Sequence, residues 1–75
     1  MIQDKVIDIV AAQAGKNKTE ITAATTFDSL GLDSLDRVEI IMKVEEEFSI
    51  EMSDEKVDTI HTVGALAEYV ESLKK

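Results

Sequence analysis

Apolar residues recur along this chain at three- and four-residue intervals and nowhere alternate. Ile2, Val6, Ile9 and Val10 form one run, Ile40, Ile41, Val44 and Phe48 a second, and Val63, Leu66, Ala67, Val70 and Leu73 a third. At about 100° per residue, each run marks one face of an amphipathic helix. The pattern restricts the chain to an all-α fold. In 75 residues there is no cysteine, which excludes a disulfide, a thiolate metal site and a catalytic thiol. There is no proline, and aromatic residues make up 4%. The core must therefore be built mainly from aliphatic side chains, in a single small domain spanning 1–75.

The helix boundaries follow from stop and start residues. Gly15 ends the first helix. Residues 16–33 read as a long loop, pinned to the core by Ile21, Phe27, Leu30 and Leu32. Loops of this length in a compact domain are often functional. A second helix is expected from Ser34 to Phe48, with Asp33 as N-cap and Asp36 completing an acidic variant of the capping box. A short third helix starts after Ser53 and ends near Ile60. The fourth begins after Thr62 as N-cap. The expected architecture is a small four-helix bundle, three helices longer and one short, with a long loop between the first two.

Sixteen acidic residues stand against eight basic ones, a net charge of −8. Segment 33–58 holds ten acids and three bases, so its net charge of −7 accounts for nearly all the excess. A field of this sign does not attract nucleic acid or anionic lipid and suits a basic protein surface or cations. No apolar run approaches the roughly 20 residues that span a bilayer. The start, Met1-Ile-Gln-Asp, has neither a basic region nor a long apolar region of a secretory signal. The expected location is the cytoplasm, or an organelle lumen after removal of a transit peptide, and the expected state is a monomer.

Catalysis finds little support. There is one histidine, His61, which reads as a helix-end or surface residue. No G-x-S-x-G elbow, glycine-rich phosphate loop or EF-hand spacing is present. No catalytic residue and no specific metal site are expected. In the second helix, Leu35 and Met42 lie nearly opposite the core stripe, with Val38 between the two faces and Glu39 and Glu46 close beside the apolar pair. This arrangement fits a docking surface of apolar anchors with a charged rim, and also an ordinary solvated face. Ser34 falls at the end of the long loop and the start of a helix. There the positive end of the helix dipole favours a phosphate ester over a nucleophilic role.

The segment Phe27-Asp28-Ser29-Leu30-Gly31-Leu32-Asp33-Ser34-Leu35-Asp36 resembles the prosthetic-group attachment site of acyl carrier proteins. Val38-Glu39-Ile40-Ile41-Met42, Glu45-Glu46-Glu47-Phe48 and Asp54-Glu55 follow at the family's spacing. The resemblance covers essentially the whole chain and is strongest across 27–55. It implies a discrete, type II carrier of fatty-acid synthesis and a non-catalytic substrate of other enzymes. It implies 4′-phosphopantetheine esterified to Ser34 within the Asp33-Ser34-Leu35 tripeptide. A phosphopantetheinyl transferase would donate the arm from coenzyme A, and acyl cargo would ride on its thiol. It further implies a partner surface of Asp36, Glu39, Met42, Glu45 and Glu46 facing basic patches on fatty-acid-synthesis enzymes. Phe27, Leu30, Ile41, Val44, Ile60 and Leu66 would line an acyl cavity.

Three positions depart from the family pattern. Arg37 stands where a small or uncharged residue is usual; its stem is expected to snorkel outwards, and its charge to repel a basic partner, pair with an acid or tune partner choice. Met52-Ser53-Asp54 lacks the usual proline before the third helix, although Ser53 can cap instead. Lys43 weakens the negative potential of the second helix. These changes leave open a specialised carrier for polyketide, other lipid or aminoacyl loading. An unmodified acidic helical adaptor is the reading from a different class.

Overall fold

The computed structural model describes residues 2–74. Four helices follow in order: α1 (Ile2–Ala14), α2 (Ser34–Phe48), α3 (Asp54–Val57) and α4 (Val63–Lys74). Helix α1 packs against both α2 and α4. The three apolar stripes meet at the centre, where Val6, Val10, Ile40, Val44, Val63, Leu66 and Val70 are fully buried. Each such side chain contributes about 1.5–3 kcal/mol by leaving water. Phe27 and Phe48 are the only buried aromatics among the described residues. Leu73, at the far end of the third stripe, is exposed.

The connection from α1 to α2 is more structured than a plain loop. It contains two single turns of 3-10 helix, Lys18–Glu20 and Asp28–Leu30. The first is capped reciprocally: Asn17 Oδ1 accepts from the Thr19 amide at 3.1 Å, and the Glu20 carboxylate accepts from the Asn17 amide at 3.1 Å. Ile21, Phe27 and Leu32 are buried and Leu30 half-buried, so all four expected pins face the core.

The same connection is laced to the start of α4. The Phe27 amide donates to the His61 carbonyl at 3.1 Å, Val63 to Thr25 at 3.0 Å, and Gly64 to Ala23 at 2.8 Å. Thr26 and Thr62 form an isolated antiparallel bridge at the centre of this tie. Thr62 also caps α4, its Oγ1 accepting from the Ala65 amide at 3.1 Å.

Helix α3 is shorter than expected, stopping at Val57 rather than near Ile60. Ser53 caps its start by accepting from the Lys56 amide at 3.1 Å, the role the missing proline leaves to it. Beyond Val57 the chain continues in tighter turns, with Thr59 donating to Lys56 O and Ile60 to Val57 O. The Val57 and Ile60 carbonyls also accept from the Arg37 side chain instead of from a continuing helix.

Gly64 makes the lacing possible. A Cβ there would lie 2.8 Å from Ala23 O and 2.9 Å from Ala23 Cβ. The first is a backbone atom that is itself tied to Gly64, so relief requires moving the chain. Gly64→Ala is expected to destabilise the fold by about 1–3 kcal/mol, the usual cost of overpacking, despite alanine's better helix propensity. Urea unfolding checks this, and unchanged or increased stability would contradict it.

Candidate functional site

The start of α2 is fixed by a reciprocal cap. Asp33 is extended (φ −93°, ψ −173°) and its Oδ1 accepts from the Asp36 amide at 3.0 Å. Asp36 Oδ2 accepts in return from the Asp33 amide at 3.2 Å. Ser34 is thereby held as the first helical residue, exposed. Among the described residues its hydroxyl makes no hydrogen bond. It stands where the free amides of the helix end favour a negative group.

Along α2, Leu35 is 75% exposed and Val38 and Met42 are each 54% exposed. Val38 therefore joins the two apolar residues expected outside the core. Its half-way position on the helix wheel left its direction undetermined. The acids beside them are not equivalent. Gln13 of α1 donates its amide to Asp36 Oδ1 at 3.0 Å and to Glu39 Oε2 at 2.5 Å, and accepts from Lys43 Nζ at 3.3 Å. Glu45 is half-buried, and its carboxylate accepts from the Met52 amide at 2.8 Å. Glu46 is exposed and makes no hydrogen bond or ion pair among the described residues. Asp36 and Glu39 thus join α1 to α2, Glu45 fixes the turn after α2, and Glu46 faces solvent.

Two apolar spaces lie between α2 and α3. The first is an open groove of about 240 Å³ lined by Ser34, Val38, Ile41, Met42 and Glu45 of α2 and by Met52, Asp54, Val57 and Asp58 opposite. The second is a crevice of about 10 Å³ lined by Phe27, Ile40, Ile41, Val57 and Ile60. Of the six residues expected around a cavity, Phe27, Ile41 and Ile60 lie at these spaces. Val44 and Leu66 are fully buried core residues outside both linings, and Leu30 packs half-buried against the core. Ile40, Val57 and Met52 complete the walls. They were not foreseen because their placement depends on how α3 crosses α2.

Arg37 lines both spaces. Its Nη2 donates to Ile60 O at 2.6 Å and to Val57 O at 3.3 Å, and its guanidinium stands 5.5 Å from the centre of the Phe27 ring. It turns inwards, half-buried, rather than snorkelling out. Among the described residues it forms no ion pair with an acid. The Ile60 carbonyl, just beyond α3, and the Val57 carbonyl, which also accepts from the Ile60 amide, both have room for a further donor here, and a charged one bonds them well.

Among the described residues, no group of three or more His, Asp or Glu is arranged to hold a metal ion, and no helix is long and apolar enough to cross a membrane.

Residues 4–70 match the family described as the phosphopantetheine attachment site. A Clostridium acetobutylicum protein named acyl carrier protein is 48% identical over 73 residues, covering 96% of this chain and 95% of its own. Acyl carrier protein 2, chloroplastic, of Arabidopsis thaliana is 54% identical over 71 residues; the match takes in 93% of this chain and 52% of that protein. The solution structure of an Anaplasma phagocytophilum chain assigned to the acyl carrier proteins superposes with a TM-score of 0.89 at 33% identity. It covers 100% of this chain and 90% of that one.

The Asp36 carboxyl is held below its usual value of 3.8, first by the Gln13 amide and then by the Asp33 backbone amide and side chain, with burial opposing them. A lowered folded-state value stabilises the protein above the unfolded value and ceases to do so as pH falls through the lowered one. Gln13→Ala is expected to raise the Asp36 value towards 3.8, read by NMR titration of its carboxyl carbon. The stability gap between wild type and Q13A should narrow as the solution is acidified through that range. An unmoved Asp36 titration in Q13A would contradict the assignment.

Proposed function

The chain belongs to the acyl carrier proteins of the phosphopantetheine-attachment family, and on that premise we propose that Ser34 bears the 4′-phosphopantetheine arm and that coenzyme A is its donor. The observation that carries this reading is the isolation of the Ser34 hydroxyl. It is exposed, lacks a hydrogen bond among the described residues, and is held at a helix start by the Asp33–Asp36 cap. The residues present fit a phosphate ester there. The helix end supplies free amides and a favourable dipole for the negative charge. Ser34 also opens onto the groove between α2 and α3, so cargo on a flexible arm has an apolar space beside its attachment point.

When bound, the arm supplies the thiol that a cysteine-free chain lacks, and acyl groups are carried on it as thioesters. The chain's own residues do the rest. Asp33 and Asp36 hold Ser34 in position for a transferase. Leu35, Val38 and Met42 offer an apolar strip, and Glu46, with Asp36 and Glu39 behind it, offers a negative edge. A partner with a basic rim around an apolar pocket is complementary to that face. Glu45 contributes mainly by fixing the Met52 amide. The family's members are carriers rather than catalysts, and this chain serves in the same way as a substrate of other enzymes. Fatty-acid synthesis is the pathway proposed, in the cytoplasm or an organelle.

Incubation with coenzyme A and a phosphopantetheinyl transferase is expected to add one arm to the wild-type chain and none to Ser34→Ala, read by intact mass. No gain on the wild type, or an undiminished gain on S34A, would overturn the assignment.

A further inference from the structure

Two charged side chains are bonded across these spaces: Glu45 accepts from the Met52 amide at the groove, and Arg37, which alone of the two also lines the crevice, donates to the Val57 and Ile60 carbonyls. The groove beside Ser34 is open, whereas the crevice behind it, about 10 Å³, has at most the room of a single water. Arg37, Ile41 and Val57 are common to both linings. Of the three, Arg37 spans from α2 to the far end of α3 through the Val57 and Ile60 carbonyls while covering the Phe27 face. Phe27, Val57 and Ile60 are themselves crevice walls. The guanidinium therefore fastens together the walls that would have to separate for the crevice to widen.

We propose that Arg37 is a gate between groove and crevice and so sets which acyl cargo this carrier can bury. An acyl chain short enough to stay in the groove leaves Arg37 bonded. A longer saturated chain enters the crevice only by parting Arg37 from Val57 O and Ile60 O and from the Phe27 ring. The carbonyls then lose a charged donor, which opposes the apolar gain of burying the chain. The consequence is a chain-length threshold: short acyl groups are held as in any groove, and long ones remain more exposed than the apolar walls alone would dictate. This rests on the attachment at Ser34 proposed above.

The test uses the arm-bearing protein loaded with an acetyl or a decanoyl group, and the variant Arg37→Met. Methionine keeps an unbranched stem and fills irregular apolar gaps but donates no hydrogen bond to the carbonyls. Cleavage of the thioester by hydroxylamine reads how exposed the cargo is. Each further methylene buried corresponds to about a four-fold change in the ratio of buried to exposed cargo. The decanoyl thioester is expected to be cleaved at least about four-fold more slowly in R37M than in wild type, with equal rates for acetyl. Equal decanoyl rates in the two proteins would overturn the gate while leaving the carrier reading intact. A chain that accepts no arm would overturn both. A second measurement needs no variant. The NMR signals of the Arg37 side chain in the wild type should shift on decanoyl loading and stay in place on acetyl loading. Ile60 methyl signals that move with decanoyl while Arg37 does not would also overturn the gate.

Discussion

The fold depends on the backbone tie between residues 23–27 and the start of α4. Three amide-to-carbonyl bonds, from Phe27, Val63 and Gly64, join segments far apart in the chain. They close a connection of nearly twenty residues that would otherwise be free to move over the core. The tie sets Phe27 into the core and brings Thr62 to its capping position. It also delivers the chain to Asp33, so the cap that presents Ser34 starts from a fixed point. The chain has no cysteine, so no disulfide performs this task; close backbone packing at Gly64 does.

What the tie does not hold is α3. This helix has four residues and buries none of them. Its ends are fastened by side chains: the Ser53 cap, the Ser53 amide donating to Tyr69 Oη at 3.2 Å, and Arg37 at the Val57 and Ile60 carbonyls. Segments with few buried contacts and locally satisfied amides open at low free energy. The molecule thus divides into a frame of α1, α2 and α4 around an aliphatic core, and a lightly tied α3 at the wall of the groove. A carrier that must admit and release cargo needs that difference. Charge follows the same division. The acids of α2 nearest the frame, Asp36 and Glu39, are bound by Gln13, whereas Glu46 faces outward.

Much of this was legible in the sequence because it is local. The three long helices follow from stripe spacing, and Asp33, Ser53 and Thr62 were readable as caps. The Asn17-Lys-Thr-Glu20 capping box was equally local, yet the high polarity around it made the segment read as loop. The end of α3 was not readable. It stops at Val57, whose carbonyl accepts from the Ile60 amide in a tighter turn and from Arg37, a contact across twenty residues. The inward turn of Arg37 was hidden for the same reason, since a helix wheel gives its direction but not the Val57 and Ile60 carbonyls it meets. Core and wall were not separable in the sequence: Val44 and Leu66 share the apolar character of Ile41 and Ile60, and only the crossing of α3 over α2 distinguishes them.

The central claim is that α3 opens separately from the frame. Amide hydrogen exchange in the intact chain tests it most directly. The amides of Val57, Asp58, Thr59 and Ile60 should be protected at least about ten-fold less than those of Val10, Val44 and Val70. Their exchange should also depend only weakly on low denaturant, because little surface is exposed when α3 alone opens. Equal protection with equal denaturant dependence would mean that the chain opens as one unit, and would contradict the account.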